Sequence, residues 1–129
     1  MNDATLARKR PVFINLLKIR QPVAAVMSIG HRASGFLLFL VLPISAWLLD
    51  RALHSRAGFE YVRAVFHSWP GRIALFIVLW SLLHHLFAGI RYLLLDVHVG
   101  IERIAARRSA WAVMILGLLC SAGIMAVLW

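Results

Sequence analysis

Negative charge is scarce in this chain: five Asp and Glu stand against fourteen Lys and Arg in 129 residues, and charged residues of both signs make up only 15%. No carboxylates are paired for general acid–base work, and no nucleophile stands with a base and an orienting acid. Cysteine is almost missing as well. Cys120 is alone, so the chain can form neither an internal disulfide nor a Cys-x-x-Cys metal pair. In its apolar surroundings that residue is simply a small hydrophobe and says nothing about redox compartment. There is no phosphate-cradling glycine loop, no internal repeat and no low-complexity segment. A carboxylate joins a histidine at ligand spacing only at the peripheral Asp96 and His98. The net charge of +9 comes without a base-reading motif, which sets nucleic acid aside. In so apolar a chain, basic residues set topology or meet lipid headgroups and acidic partner surfaces.

What the chain has in abundance is apolar length. Hydrophobic residues are 62% of the total and the mean hydropathy is +0.83, which marks an integral membrane protein. The length allows three spanning helices of about 20 residues. The expected fold is an all-α bundle, one membrane-anchor domain over 1–129, with spans near 23–49, 73–95 and 110–129 and a short N-terminal segment over 1–22. That segment is polar and basic and is interrupted by Pro11 and Pro22. It is no cleavable signal, because its apolar run begins only near Val23 and is too long. Phe13, Leu16 and Leu17 suit one face of a short interfacial helix, the alternative being a solvated tail. Between the first two spans, Phe59, Val62, Phe66 and Trp69 recur at helical spacing and predict a short amphipathic helix lying on the membrane. Glu102, Arg103, Arg107 and Arg108 mark a polar loop before the third span. Six Lys and Arg up to Arg32, with four more from Arg91 to Arg108, outnumber the four between Arg51 and Arg72, so the N-terminus is expected on the cytoplasmic or matrix side.

Two stretches carry ionisable groups at membrane depth, where they are rare and usually functional. In SIGHRASG (28–35), Ser28, His31 and Arg32 fall at i, i+3 and i+4 on one side of the first span, and Gly35 continues that side. Arg32 also suits a snorkelling residue that only fixes orientation. Pro43 lies within the same span, where it bends a helix. In HHLFAGIRYLLLD (84–96), His85, Gly89, Tyr92 and Asp96 share one helix face. A buried neutral imidazole with a cation one or two turns away suits haem b, the histidine binding iron and basic groups meeting the propionates. Adjacent histidines point about 100° apart, so both cannot reach one iron from the same face, and His85, aligned with Gly89, is the better candidate. Spacing alone leaves two further readings open: a proton or ion pathway along Arg32, His84, His85 and Arg91, and structural hydrogen bonding in a plain anchor.

Taken together, Arg10-Pro11 and a basic segment, then SIGHRASG, then HHLFAGIRYLLLD, resemble the cytochrome b membrane-anchor subunit of succinate dehydrogenase, complex II. The likeness covers nearly the whole chain. That family has Ser-x-x-His-Arg-x-Ser-Gly in its first span and His-x-x-x-Gly-x-Arg-His-x-x-x-Asp in its second; Tyr92 stands here where the pattern has its second histidine. The resemblance implies a multi-pass subunit of a bacterial-type inner membrane or the mitochondrial inner membrane, associated with a flavoprotein subunit, an iron–sulfur subunit, membrane lipid and a second small anchor subunit. It implies that His85 is an axial ligand of haem b. It also places Ser28 and Arg32 in a pocket where ubiquinone is reduced, and His31, Arg32 and Arg91 toward the haem propionates. The chain alone would catalyse nothing, since succinate oxidation belongs to the flavoprotein. With no histidine in the third span and His31 expected nearer the surface than His85, the second axial ligand is expected from the other anchor subunit. Segment 1–22 and the loop at 97–108 are the expected docking surface for the soluble subunits.

Overall fold

The computed structural model describes residues 20–129, so the expected interfacial helix around Phe13, Leu16 and Leu17 and the basic run Arg8, Lys9 and Arg10 lie outside the described residues. Four helices follow in order: α1 Val23–His54, α2 Arg56–His67, α3 Trp69–Asp96 and α4 Arg103–Leu128. Three of them, α1, α3 and α4, are long and apolar enough to cross a membrane. The expected all-α bundle of three spans is therefore present, with α2 as the short helix between the first two.

Each boundary has a local cause. Pro22 opens α1 in extended conformation, and its carbonyl accepts from the Ala25 and Val26 amides. Ser55 ends α1 and at once caps α2, its hydroxyl accepting from the Gly58 amide at 3.0 Å. Ser68 does the same between α2 and α3, with Pro70 in the first turn of α3 where its missing N–H costs nothing. At the far end of α3, the His98 amide donates to Leu95 and the Val99 amide to Leu94, with His98 at φ 63. This pattern is a Schellman close, and a histidine occupies the left-handed position that glycine usually takes. His98 is thus engaged in ending a helix.

All three spanning helices are longer than their apolar stretches; α3 begins at Trp69, four residues before Ile73, so Trp69 belongs to it and not to the short helix α2. α1 continues five residues past Leu49, and α4 begins at Arg103, so Arg103, Arg107 and Arg108 form its first turns rather than a loop. Hydropathy marks where lipid begins, whereas hydrogen bonding carries a helix on into the interface, where arginine stems snorkel.

The core is built on small residues. On α3 the buried positions are Ser81, His84, Ala88 and Arg91; on α4 they are Ala110, Val113, Gly117 and Ser121. Both sets follow a near-heptad spacing. Without a hydrophobic drive between helices in lipid, close backbone approach at such residues supplies the packing. Met27 from α1 completes the cluster with Ala88, Ala110 and Val113.

Candidate functional site

Successive turns of α3 present two different faces. His85, Gly89 and Tyr92 lie toward α1. The His85 ring stacks on His31 with centroids 4.1 Å apart and planes 17° apart, and Tyr92 lies 5.3 Å from His31 on the same side. His85 Nδ1 lies 3.1 Å from the His31 carbonyl oxygen and 3.3 Å from Ser34 Oγ, while the Ser34 hydroxyl itself donates to that carbonyl at 2.9 Å. A carbonyl only accepts, so Nδ1 carries the proton and Nε2 keeps the lone pair. Among the described residues Nε2 has no partner, and it is not among the sealed nitrogens of the chain.

Gly35 makes room for this ring, while the position of Gly89 stays open. A Cβ on Gly35 would sit 2.8 Å from His85 Cε1, whereas one on Gly89 would meet only His31 Nε2, at 4.0 Å. His31, expected nearer the surface than His85, is level with it. The two rings lie face to face, so their nitrogens do not oppose each other across a metal.

The neighbouring turn closes inward. His84 is only 2% exposed and neither of its ring nitrogens has a hydrogen-bond partner among the described residues; the Met27 backbone lies close without completing a bond. The ring is wedged between Gly30, whose Cβ would lie 2.9 Å from Nε2, and Gly117, whose Cβ would lie 3.3 Å from the His84 Cα. Trp80 stacks on it at 5.2 Å. Arg91, 6% exposed, lies on this same face: Nε donates to Ser109 Oγ at 2.9 Å and Nη2 to the Ala106 carbonyl at 3.0 Å, both on α4. Its charge is spread over neutral oxygens, a tolerable state for a buried guanidinium.

The structure therefore gathers His31 and His85, with Ser34, Gly35 and Tyr92, into one patch between α1 and α3. Ser28 lies about one turn before His31 on α1, and Arg32, the residue after His31, is exposed with its Nε 3.5 Å from the Ser28 carbonyl oxygen. Arg91 is not in the patch. The signal was in the spacing: six residues after His85 is 600°, or 120° away around the helix, while seven after His84 returns to the His84 face. Ser34 and Ser109, missed beforehand, carry no signal in a single sequence beyond being polar in apolar helices.

Comparison with known proteins gives the family. Residues 7–124 match the family described as succinate dehydrogenase/fumarate reductase transmembrane subunit. The chain is 41% identical over 108 residues to the succinate dehydrogenase cytochrome b556 subunit of Coxiella burnetii, covering 83% of this chain and 86% of that protein. It is 35% identical over 105 residues to the same-named subunit of Paracoccus denitrificans, with 81% of each covered. It is 28% identical over 121 residues to that of Rickettsia bellii, with 94% of this chain and 91% of that protein covered.

Proposed function

This chain belongs to the succinate dehydrogenase/fumarate reductase transmembrane subunit family, and from that premise we propose that it ligates haem b through His85 and forms part of a ubiquinone-reducing site through Ser28 and Arg32. One observation carries the haem reading: the Nδ1 hydrogen bond to the His31 carbonyl leaves Nε2 as the coordinating nitrogen. Metal-bound histidines characteristically donate their other ring N–H to such a carbonyl, which fixes the tautomer and aims the ring. The residues fit the group, for Gly35 admits the His85 ring and Gly89 leaves space beside it, with only His31 Nε2, at 4.0 Å, near its Cβ position. When bound, the haem supplies a one-electron carrier within the membrane.

The chain's own residues do the rest. His31 braces the His85 ring by stacking, and its carbonyl holds the Nδ1 proton. His31 and Arg32 are the groups assigned to the propionates. Arg91 shares that assignment from the sequence, but with two of its donors on α4 its first work is to hold α4 against α3. Ser28 and Arg32 offer a hydroxyl and a guanidinium near the membrane surface. As a quinone takes up two electrons, negative charge grows on its oxygens, and these donors stabilise it until two protons arrive from water. His31 and His85 stack face to face, so a further ligand for a bound haem would come from a second anchor subunit. The basic end of the bundle, with Arg108 exposed, is assigned to docking the iron–sulfur and flavoprotein subunits from the cytoplasmic or matrix side.

A proton or ion pathway fits the geometry less well. His84 has both ring nitrogens buried, Arg91 is bonded to α4, and His85 with Arg32 lies elsewhere, so these groups do not line one route.

Two measurements on the intact complex test the proposal. A reduced-minus-oxidised spectrum should show a b-type haem band, and its absence would leave only a structural anchor. Ser28→Ala and Arg32→Leu should lower quinone reduction about tenfold to a thousandfold, as loss of a charge-stabilising donor does, while succinate oxidation with a soluble artificial acceptor stays intact. Unchanged quinone kinetics would remove these two residues from the site.

A further inference from the structure

We propose that the seam between α1 and α4 holds one anionic phospholipid, with its phosphate at Arg103 and Arg107 and an acyl chain running down the groove toward Leu118. α1 and α4 both begin at the same end of the bundle, and two crevices follow one another along their seam. The outer one, about 540 Å³, lies between Pro22, Val23 and Ala24 of one strand of the seam and Arg103, Arg107 and Trp111 of the other. The next, about 380 Å³, lies between Val26, Ile29 and Gly30 on α1 and Met114 and Leu118 on α4, with Trp80 and His84 as its floor. Trp111, Met114 and Leu118 are at i, i+3 and i+7, so one helix face lines both.

The chemistry changes along the groove in the way a phospholipid does. The mouth presents two arginines and the indole of Trp111, a side chain suited to the headgroup level. Among the described residues no carboxylate lines either crevice; Glu102, at the start of α4, lies outside both linings. Below the mouth the side chains on the rim are apolar. From Arg107 to Leu118 the helix descends about 16 Å at 1.5 Å per residue, close to half of the roughly 30 Å hydrocarbon core. An acyl chain of one leaflet spans that distance. Charge complementarity selects an anionic headgroup over a neutral one, because two guanidinium groups face the phosphate with no acid to balance them. A peptide is a poorer occupant, since its backbone N–H and C=O groups would need partners that an apolar trough does not provide. This assignment is independent of haem ligation and of the quinone site.

The test uses the assembled complex in native membranes. A photo-crosslinking amino acid placed at Trp111 and, separately, at Leu118 should capture phospholipid at both positions, with the Leu118 adduct on the acyl chain. Native mass spectrometry of the complex should show a retained anionic phospholipid whose affinity falls roughly tenfold to thirtyfold in R103Q/R107Q, from the loss of two surface charges. Leu118→Trp, which fills the lower crevice at an exposed position, should also weaken retention while leaving succinate oxidation unchanged. Cross-links from either position to residues 1–19 or to a partner subunit would overturn the proposal. So would equal retention of anionic and neutral phospholipid in the unaltered complex, or retention unchanged in the double variant.

Discussion

His84 and His85 are consecutive residues of the same type on one helix, yet one is wedged dry among three helices and the other stacks on a histidine at a half-open face. The difference comes from rotation. A step of about 100° carries His84 to the face that also holds Ser81, Ala88 and Arg91, which α1 and α4 cover, and carries His85 to the face with Gly89 and Tyr92. On the closed face Trp80 stacks on the imidazole and neither ring nitrogen finds a partner among the described residues, so the ring works there as a packing piece. On the open face one ring nitrogen is held by a carbonyl and the other has no partner among the described residues. Residue type alone does not make a ligand; a fixed tautomer with an unblocked lone pair does.

The strongest way to break this comparison is to delete each histidine in turn. His85→Ala should abolish most of the b-type absorbance of the complex, or change its axial ligation, as judged by the reduced spectrum and electron paramagnetic resonance. His84→Ala should leave the ligation signature in place and instead lower thermal stability, by about 1–3 kcal/mol for truncating a packed ring. If His84→Ala removed the haem and His85→Ala did not, the two faces would have to exchange roles.

Next in size is Arg91→Ala. It deletes a buried side chain and two hydrogen bonds to α4, and the expected cost is about 2–4 kcal/mol. Reduced assembly of the complex and earlier thermal unfolding should report it, with the haem spectrum unchanged in whatever complex survives. A changed spectrum at full stability would instead return Arg91 to the propionates. Glycine substitutions come third. Gly35→Ala puts a Cβ 2.8 Å from a His85 ring atom and should perturb the haem spectrum. Gly117→Ala meets the His84 backbone at 3.3 Å, so α3 and α4 must part by a few tenths of an ångström, a stability effect of about 1 kcal/mol at most without spectral change.

Much of this was legible beforehand. Three spans, a short amphipathic helix and an all-α fold follow from apolar runs and helical spacing, because lipid forces the backbone to satisfy itself within each segment. The pairing of His85 with Gly89 and Tyr92 on one face follows from angle alone. Helix ends at Arg103 and His54 did not follow, since hydropathy is silent about helix continuing through the interface. Nor did the level of His31, which depends on how two antiparallel helices slide past each other, nor the part played by Gly35, which only that register brings against His85. That two donors of Arg91 bond to α4 did not follow either, although its angular position already grouped it with His84.

The finest test compares two serines, one on each face. Ser109 accepts from Arg91 Nε at 2.9 Å, and that guanidinium belongs to a side chain only 6% exposed. Ser109→Ala leaves a charged donor with one partner fewer, and should cost about 1 kcal/mol, within the range found for hydrogen bonds between membrane helices. Ser34 lies 3.3 Å from His85 Nδ1, but that nitrogen has the His31 carbonyl at 3.1 Å as well. Ser34→Ala therefore leaves the proton on Nδ1 and the lone pair on Nε2, and should cost less than about 0.5 kcal/mol with the haem ligation signature unaltered. Paired thermal denaturation of the two variants, read beside their reduced spectra, separates the faces: a larger loss at Ser34 than at Ser109, or a changed axial ligation in Ser34→Ala, would mean that the hydroxyl, rather than the carbonyl of α1, sets the tautomer of His85.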